Sequence, residues 1–296
     1  MRHWTCTIWL VIAAACSSSP STPTSPGGGN PGNGGNGQTV TVIGAGDIGM
    51  CGSPGTAATA RLVAGLPGDL LLAGDLAYLH GSAANFRDCF EPFWGQFRSR
   101  WHPVPGNHEY ESPGAAPYFT YFGEAAAPEG TSYYALTLGD WLVLMIDSNI
   151  PAGRGSPQWT FVQQQLQAQR TPCTLAVWHH PLFTSGPNGP NRFMADIWGL
   201  LETSGAEVVL NGHDHLYERF ARQLPNGQAD PAKGIRQFTV GTGGAELYTF
   251  VRTSPNSEAR ITEFGVLRLT LRPAQVDWAY LGTNGAVLDQ GLDTCR

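Results

Sequence analysis

Beyond residue 38 the chain alternates between short apolar runs and stretches with helical spacing, and the two periods separate strands from helices. Residues 39–43 read as a strand, 44–49 as a loop and 54–66 as a helix with Pro54 near its start. The run 70–73 is a second strand. Phe86, Phe90, Phe93, Trp94 and Phe97 recur at helical spacing, which marks a packed core stripe rather than a ligand box. Residues 101–105 form a short third strand and 118–122 a helical turn. Residues 132–138 and 141–146 are strands around Gly139-Asp140, a hairpin turn signal. A helix over 156–170, a strand over 174–178, a helix over 191–204 and a strand over 207–210 follow. After these, 237–240, 264–271, 275–280 and 286–288 are strands with no helix between them. Strand–helix alternation with a β-rich tail predicts an α/β fold of two sheets packed face to face, helices outside. There is no internal repeat or second linker, so 39–296 reads as one domain.

The first 38 residues follow different rules. Met1-Arg2-His3 and the apolar residues 8–15 have the form of an export signal, too short to span a bilayer. Ala13-Ala14-Ala15-Cys16 reads two ways. It is a small-residue cleavage site, or it resembles a bacterial lipoprotein signal, with Cys16 the lipidated residue although Ala13 stands where Leu is usual. Residues 17–38, almost wholly Ser, Thr, Pro, Gly and Asn, form a flexible linker that reaches roughly 25 Å and favours the anchored reading. The protein is therefore expected outside the cytoplasm: periplasmic, on the cell surface or secreted, with membrane anchoring through Cys16.

Composition narrows the function. The 296 residues carry a net charge of −6, with 14% charged residues and Lys233 the only lysine, which argues against a nucleic-acid surface. An anionic substrate then needs something other than a basic patch, and a metal is the obvious candidate. Apart from Cys6 and Cys16 there are four cysteines, Cys51, Cys89, Cys173 and Cys295, with no zinc-finger spacing. In an oxidising compartment they form two disulfides with three connectivities open; Cys51–Cys89 with Cys173–Cys295 is the pairing favoured.

The loops after the apolar strands carry the chemistry. They present Asp47, then Asp75 with Tyr78, Asn107 with His108, His179 with His180, and His213 with His215. Ligands of open α/β sheets bind beyond the carboxyl ends of the strands. Carboxylates, an amide, imidazoles and a phenol without thiolate suit Fe, Mn or Zn, and they outnumber what one tetrahedral ion takes. Gly241-Thr242-Gly243-Gly244 lacks the Lys and the helix of a nucleotide loop and reads as a tight turn lining the site.

Gly46-Asp47-Ile48-Gly49, Gly74-Asp75-Leu76-Ala77-Tyr78, Gly106-Asn107-His108-Glu109, Ala176-Val177-Trp178-His179 and Gly212-His213-Asp214-His215 resemble, in order and spacing, the five blocks of the calcineurin-like metallophosphoesterases. Tyr78 is similar to the iron-binding tyrosine of the purple acid phosphatases. The resemblance implies a four-layer αββα sandwich with two metal ions. One is held by Asp47, Asp75, Tyr78 and His215, the other by Asp75 as bridge with Asn107, His179 and His213. It also implies Fe(III) at the Tyr78 site and Fe(II), Zn or Mn at the other. His108 would act near the leaving group or attacking oxygen, and His180 would pack beside the site. The implied reaction is hydrolysis of a small phosphate monoester by a metal-bound hydroxide, with no protein partner.

Departures from the pattern are informative. Ala176 replaces the common Val. The loop 184–192 offers Asn188, Asn191 and Arg192 as substrate contacts where plant-type purple phosphatases have histidines, which leaves His108 as the leading general acid. Residues 1–38 also cannot form the extra N-terminal β-sandwich of the plant enzymes. Two rivals differ in kind: a phosphodiesterase or nucleotidase on the same metals, and a non-catalytic surface lipoprotein whose metals are structural.

Overall fold

A computed structural model describes Met1 and residues 37–296. The expected export signal beyond Met1, Cys16 and the expected linker as far as residue 36 lie outside the described residues. Three strands, β1 (Val40–Ala45), β2 (Asp69–Ala73) and β3 (Trp101–Val104), run parallel and open the first sheet. Seven strands then build the second: β4 (Tyr134–Leu138), β5 (Trp141–Met145), β6 (Cys173–Val177), β7 (Val208–Asn211), β8 (Tyr217–Phe220), β9 (Arg236–Val240) and β10 (Ser257–Ile261). The chain returns to the first sheet as β11 (Gly265–Arg272), β12 (Gln275–Gly282) and β13 (Val287–Thr294). The sheet orders are β13-β12-β11-β1-β2-β3 and β10-β8-β9-β7-β6-β5-β4, and both mix parallel with antiparallel pairs.

Alternation along the strands explains the layers. In β2, Leu71 faces the second sheet and shares a fully buried core with Val42, Val143, Leu175, Leu210 and Leu269. Leu70 and Leu72 face the other way, against Val63, Phe90, Trp94 and Trp101. On the far side Leu144, Ala176 and Val209 pack on Val162, Ile197 and Trp198 of the helices Pro157–Ala168 and Ala195–Thr203. Strands buried on both faces are apolar throughout, which is why they stood out in the sequence. The result is the four-layer sandwich expected.

Two strands and one helix differ from the reading. β8 and β10 were missed because charged residues interrupt them: Glu218 is buried only because Ser185 and Ser257 satisfy it, and β10 is an edge strand half in solvent. The aromatic stripe is core at Phe86, Phe90, Trp94 and Phe97, but Phe93 is 36% exposed. The segment is a broken run with a π turn at Phe86–Phe90 before Pro92, which has no N–H for the helical ladder, so the even spacing is lost. β13 is also longer than the predicted 286–288.

Both disulfides have the favoured pairing, Cys51–Cys89 and Cys173–Cys295. Cys51 lies four residues beyond Asp47, so the first bridge ties that loop to the 86–90 turn. Converting both Cys51 and Cys89 to Ser is expected to lower the unfolding free energy by about 3 kcal/mol. Urea titration followed by tryptophan fluorescence measures it, and an unshifted midpoint would contradict the assignment of stability to this bridge.

Candidate metal centre

The parallel strands deliver their loops to one rim. Asp47 follows β1, Asp75 and Tyr78 follow β2, Asn107 follows β3, His179 follows β6, and His213 and His215 follow β7. The structure brings all seven together. Around Asp47 Oδ1, the Tyr78 hydroxyl lies at 2.7 Å and His215 Nε2 at 3.3 Å. Tyr78 Oη is 2.9 Å from His215 Nε2 and 3.2 Å from Asp75 Oδ2. That same Asp75 oxygen is 3.1 Å from His179 Nε2. His179 Nε2 in turn lies 3.1 Å from Asn107 Oδ1 and 3.2 Å from His213 Nδ1. Two donor groups therefore meet at one atom, Asp75 Oδ2, while Asp75 Oδ1 accepts the His108 N–H at 2.9 Å.

Backbone strain concentrates here. Asp47, Asp75 and His213 adopt left-handed φ values of 59°, 51° and 73°, which non-glycine residues hold only when the surroundings enforce them. For Asp75 the enforcer is Glu109. Its buried carboxylate accepts the N–H groups of Asp75, Leu76, Ala77 and Gly106 at 2.8–3.2 Å, so one side chain clamps the loops after β2 and β3. A Cβ on Gly106 would stand 2.1 Å from Asp75 Oδ1, and one on Gly212 would stand 2.5 Å from Asp47 Oδ2, so glycine alone lets these backbones close in. The 241–244 turn lines the site as expected, with Gly243 N–H and Ala245 N–H donating to the Gly46 and Asp47 carbonyls at 2.9 and 2.8 Å.

Electrostatics couple these groups tightly. Burial alone would raise Asp75, but His179 and then His108 outweigh it and hold the carboxyl well below the usual range. Burial alone would lower His179, and the Asp75 carboxylate reverses this and lifts it to about 9. His180 and His213 are pushed down to about 3 by burial, then by the charge on His179. Burial raises Tyr78 far above a free phenol, and Asp47 and Asp75 add to it. Burial and the Asp75 charge push Glu109 up to about 8, against the N–H groups that favour its ionised form.

The donor set fits a pair of cations. His179 Nδ1 faces the Ala73 carbonyl at 2.8 Å and His215 Nδ1 faces the Glu246 carbonyl at 2.6 Å, so each proton is fixed there and each Nε2 lone pair points inward. Inward, His179 Nε2 meets the Asp75 and Asn107 oxygens, and His215 Nε2 meets Asp47 Oδ1 beside the Tyr78 hydroxyl; a proton on His179 reconciles its contact with Asp75, and a metal ion would take that proton's place. Asp47, Asp75 and His179 offer ligand atoms within 4.8 Å of one another, as do His179, His180 and His213. Oxygen and nitrogen donors without thiolate are the set expected for Fe, Mn or Zn.

Other site residues take supporting positions. His108 Nε2 stands 3.8 Å from Asp75 Oδ2, its ring 4.6 Å from Tyr78, with Nδ1 on the Leu79 carbonyl and 3.1 Å from Glu111 Oε1. His180 bonds Ser148 Oγ at 2.8 Å. In the 184–192 loop, Asn188 donates to the His213 carbonyl at 2.7 Å, and Asn191 turns its amide onto the Pro181 and Gly189 carbonyls. Arg192 lies over the Phe183 ring. Sequence reasoning missed the Glu109 clamp and Asp214, which is buried and accepts from Thr184 Oγ1 and, at 3.1 Å, from the Asn188 N–H. An acid beside each ligand pair was the available signal for both. It also missed Tyr248, stacked on His215 at 4.0 Å, for which the sequence carries no signal.

The calcineurin-like phosphoesterase family model matches residues 40–217. Purple acid phosphatase 18 of Arabidopsis thaliana is 30% identical over 193 residues, 60% of this chain and 43% of that protein. Purple acid phosphatase 21 of the same plant is 28% identical, covering 68% of this chain and 50% of its own length. The chain thus spans about half the length of the curated relatives it matches. Among solved structures, purple acid phosphatase PPD1 of yellow lupin superposes with a TM-score of 0.73 at 20% identity, over 88% of this chain and 55% of that one. GAP50, described as the anchor in the inner membrane complex of Plasmodium, gives 0.64 at 12% identity over 87% and 89%, a likeness of fold alone.

Proposed function

The chain belongs to the calcineurin-like phosphoesterase family, and on that footing we propose that it hydrolyses phosphate monoesters at a two-cation centre. The observation that carries this reading is the position of Asp75 Oδ2, 3.2 Å from Tyr78 Oη and 3.1 Å from His179 Nε2, between the two donor groups. Asp47, Asp75, Tyr78 and His215 would hold one cation, Fe(III). Asp75, Asn107, His179 and His213 would hold the other, Fe(II), Zn or Mn. When bound, such a pair acidifies water and neutralises phosphoryl oxygens in the in-line transition state.

The chain's own groups do the rest. The Ala73 and Glu246 carbonyls fix the His179 and His215 tautomers, so neither ring needs to reorganise. His108 is the general acid: with its Nδ1 proton held by the Leu79 carbonyl and Glu111, it delivers a proton from Nε2 to the leaving oxygen. Asn107 would face the incoming phosphate beside the second cation, whereas Asn188 and Asn191 turn their amides onto loop carbonyls and Arg192 lies over Phe183, so the 184–192 loop supplies no free phosphate donor from these three side chains in this arrangement. The two disulfides support an oxidising location, reached by export and, through a lipidated Cys16, at a membrane surface. No helix among the described residues is long and apolar enough to cross a membrane.

The test is metal analysis with a visible spectrum, together with a panel of monoesters and diesters. Two metal equivalents including iron are expected, with a colour that Tyr78→Phe removes, since the phenolate is the light-absorbing ligand. Two colourless divalent ions would end the ferric assignment. A strong preference for diesters would overturn the monoester reading.

A further inference from the structure

A cavity of about 600 Å³ opens beside the metal centre, a volume in the range of organic-ligand pockets. Its wall is made by residues 148–153, beyond β5, and by Arg192, Phe193, Ala195 and Asp196. His180 is the partition between cavity and centre. Its Nδ1 meets Ser148 Oγ on the cavity wall at 2.8 Å, and its ring lies 4.5 Å from His213 and 5.5 Å from Phe193. His213, His180 and Phe193 thus make an aromatic row that leads from the donors around Asp75 into the cavity.

Phe193 is the outlier of that row. It is 51% exposed, while Met194 and Ile197 just beyond it are fully buried. Beyond its edge-on contact with His180, a large aromatic ring left half in water at a cavity rim still offers a stacking face. Asp196 accepts the Arg154 N–H at 2.9 Å and still offers carboxylate oxygen on the wall to a hydroxyl donor.

We propose that this cavity receives the leaving group of the ester, and that Phe193 stacks on it. The preferred monoesters then carry a planar aromatic leaving group of nucleoside size, with sugar hydroxyls facing Asp196, rather than a small alkyl group. The inference rests on the monoester reading above and joins it to the nucleotidase alternative, since a nucleoside monophosphate is itself a phosphate monoester. In the reaction water adds to phosphorus as the bond to the leaving oxygen breaks. That oxygen takes a proton, and inorganic phosphate and the free nucleoside depart.

The experiment compares kcat/KM for adenosine monophosphate and glycerol phosphate in metal-loaded wild type, Phe193→Ala and Gly153→Leu. The second variant fills the cavity by independent means: a Cβ at Gly153 meets only Asp196 Oδ2, at an ordinary 3.6 Å. Wild type is expected to prefer adenosine monophosphate. Each variant is expected to cut that preference about tenfold, the upper end of what an aromatic pair contributes, chiefly through KM. Adenosine alone inhibits wild type competitively and the variants far less. Both esters cleaved with an unchanged preference in both variants overturns the cavity assignment while leaving the phosphatase standing. No cleavage of any ester by wild type sinks the monoester reading, and this inference with it.

Discussion

Asp75→Asn is expected to reduce kcat/KM by roughly a thousandfold and to leave at most one metal equivalent bound. The substitution keeps the size of the side chain and removes the charge that both donor groups share. Asp75 Oδ2 lies within 3.2 Å of both Tyr78 Oη and His179 Nε2, so the two donor groups share this one atom. The other groups lose definition as well. Without the Asp75 carboxylate, burial is the dominant influence left on His179, and it disfavours a charged ring. The amide oxygen can still accept the His108 N–H that Asp75 Oδ1 takes now, so the fold should survive and the loss should be one of function. Metal content, kcat/KM and a thermal melt on the same preparation separate the possibilities. A folded variant with two metals and wild-type turnover would remove Asp75 from the centre of this reading.

The layer structure and the ligand loops were legible in the sequence for one physical reason. Strands buried on both faces must be apolar, so the first polar residue beyond each run marks the rim of the sheet. Asp47, Asp75, Asn107, His179 and His213 all sit just there. What escaped notice was polar structure whose purpose is to be satisfied by something distant. Glu218 within β8 makes sense only once Ser185 and Ser257 are beside it, residues far apart in the chain. Tyr248 supports His215 from a segment without regular structure, and spacing carries no signal for that. Asn191 illustrates the opposite case: a polar residue in a substrate loop whose amide is spent on the loop's own carbonyls. Cavity walls are the least legible of all, because residues 148–153 and 192–196 meet only through the packing of β5 and β6 with their helices.

Glu109→Ala is expected to cost about 4 kcal/mol of stability and to abolish activity in whatever fraction remains folded. Four N–H groups end on this carboxylate, and each becomes a buried donor without an acceptor when it is removed. An orphaned buried donor costs about 1–3 kcal/mol, and water entering the small void can relieve only some of them. The same N–H groups hold Asp75 at its left-handed φ of 51°, a conformation that would otherwise relax and carry the carboxylate away from Tyr78 and His179. Glu109→Gln isolates charge from shape. Its amide oxygen accepts two of the N–H groups, but its NH₂ faces the other two as donor against donor, so it should fall between wild type and Ala in stability. Denaturant titration gives the order, and metal content in the folded fraction gives the consequence. If Glu109→Gln bound two metals and melted as wild type does, the clamp would be a packing feature and the strain at Asp75 would need another source.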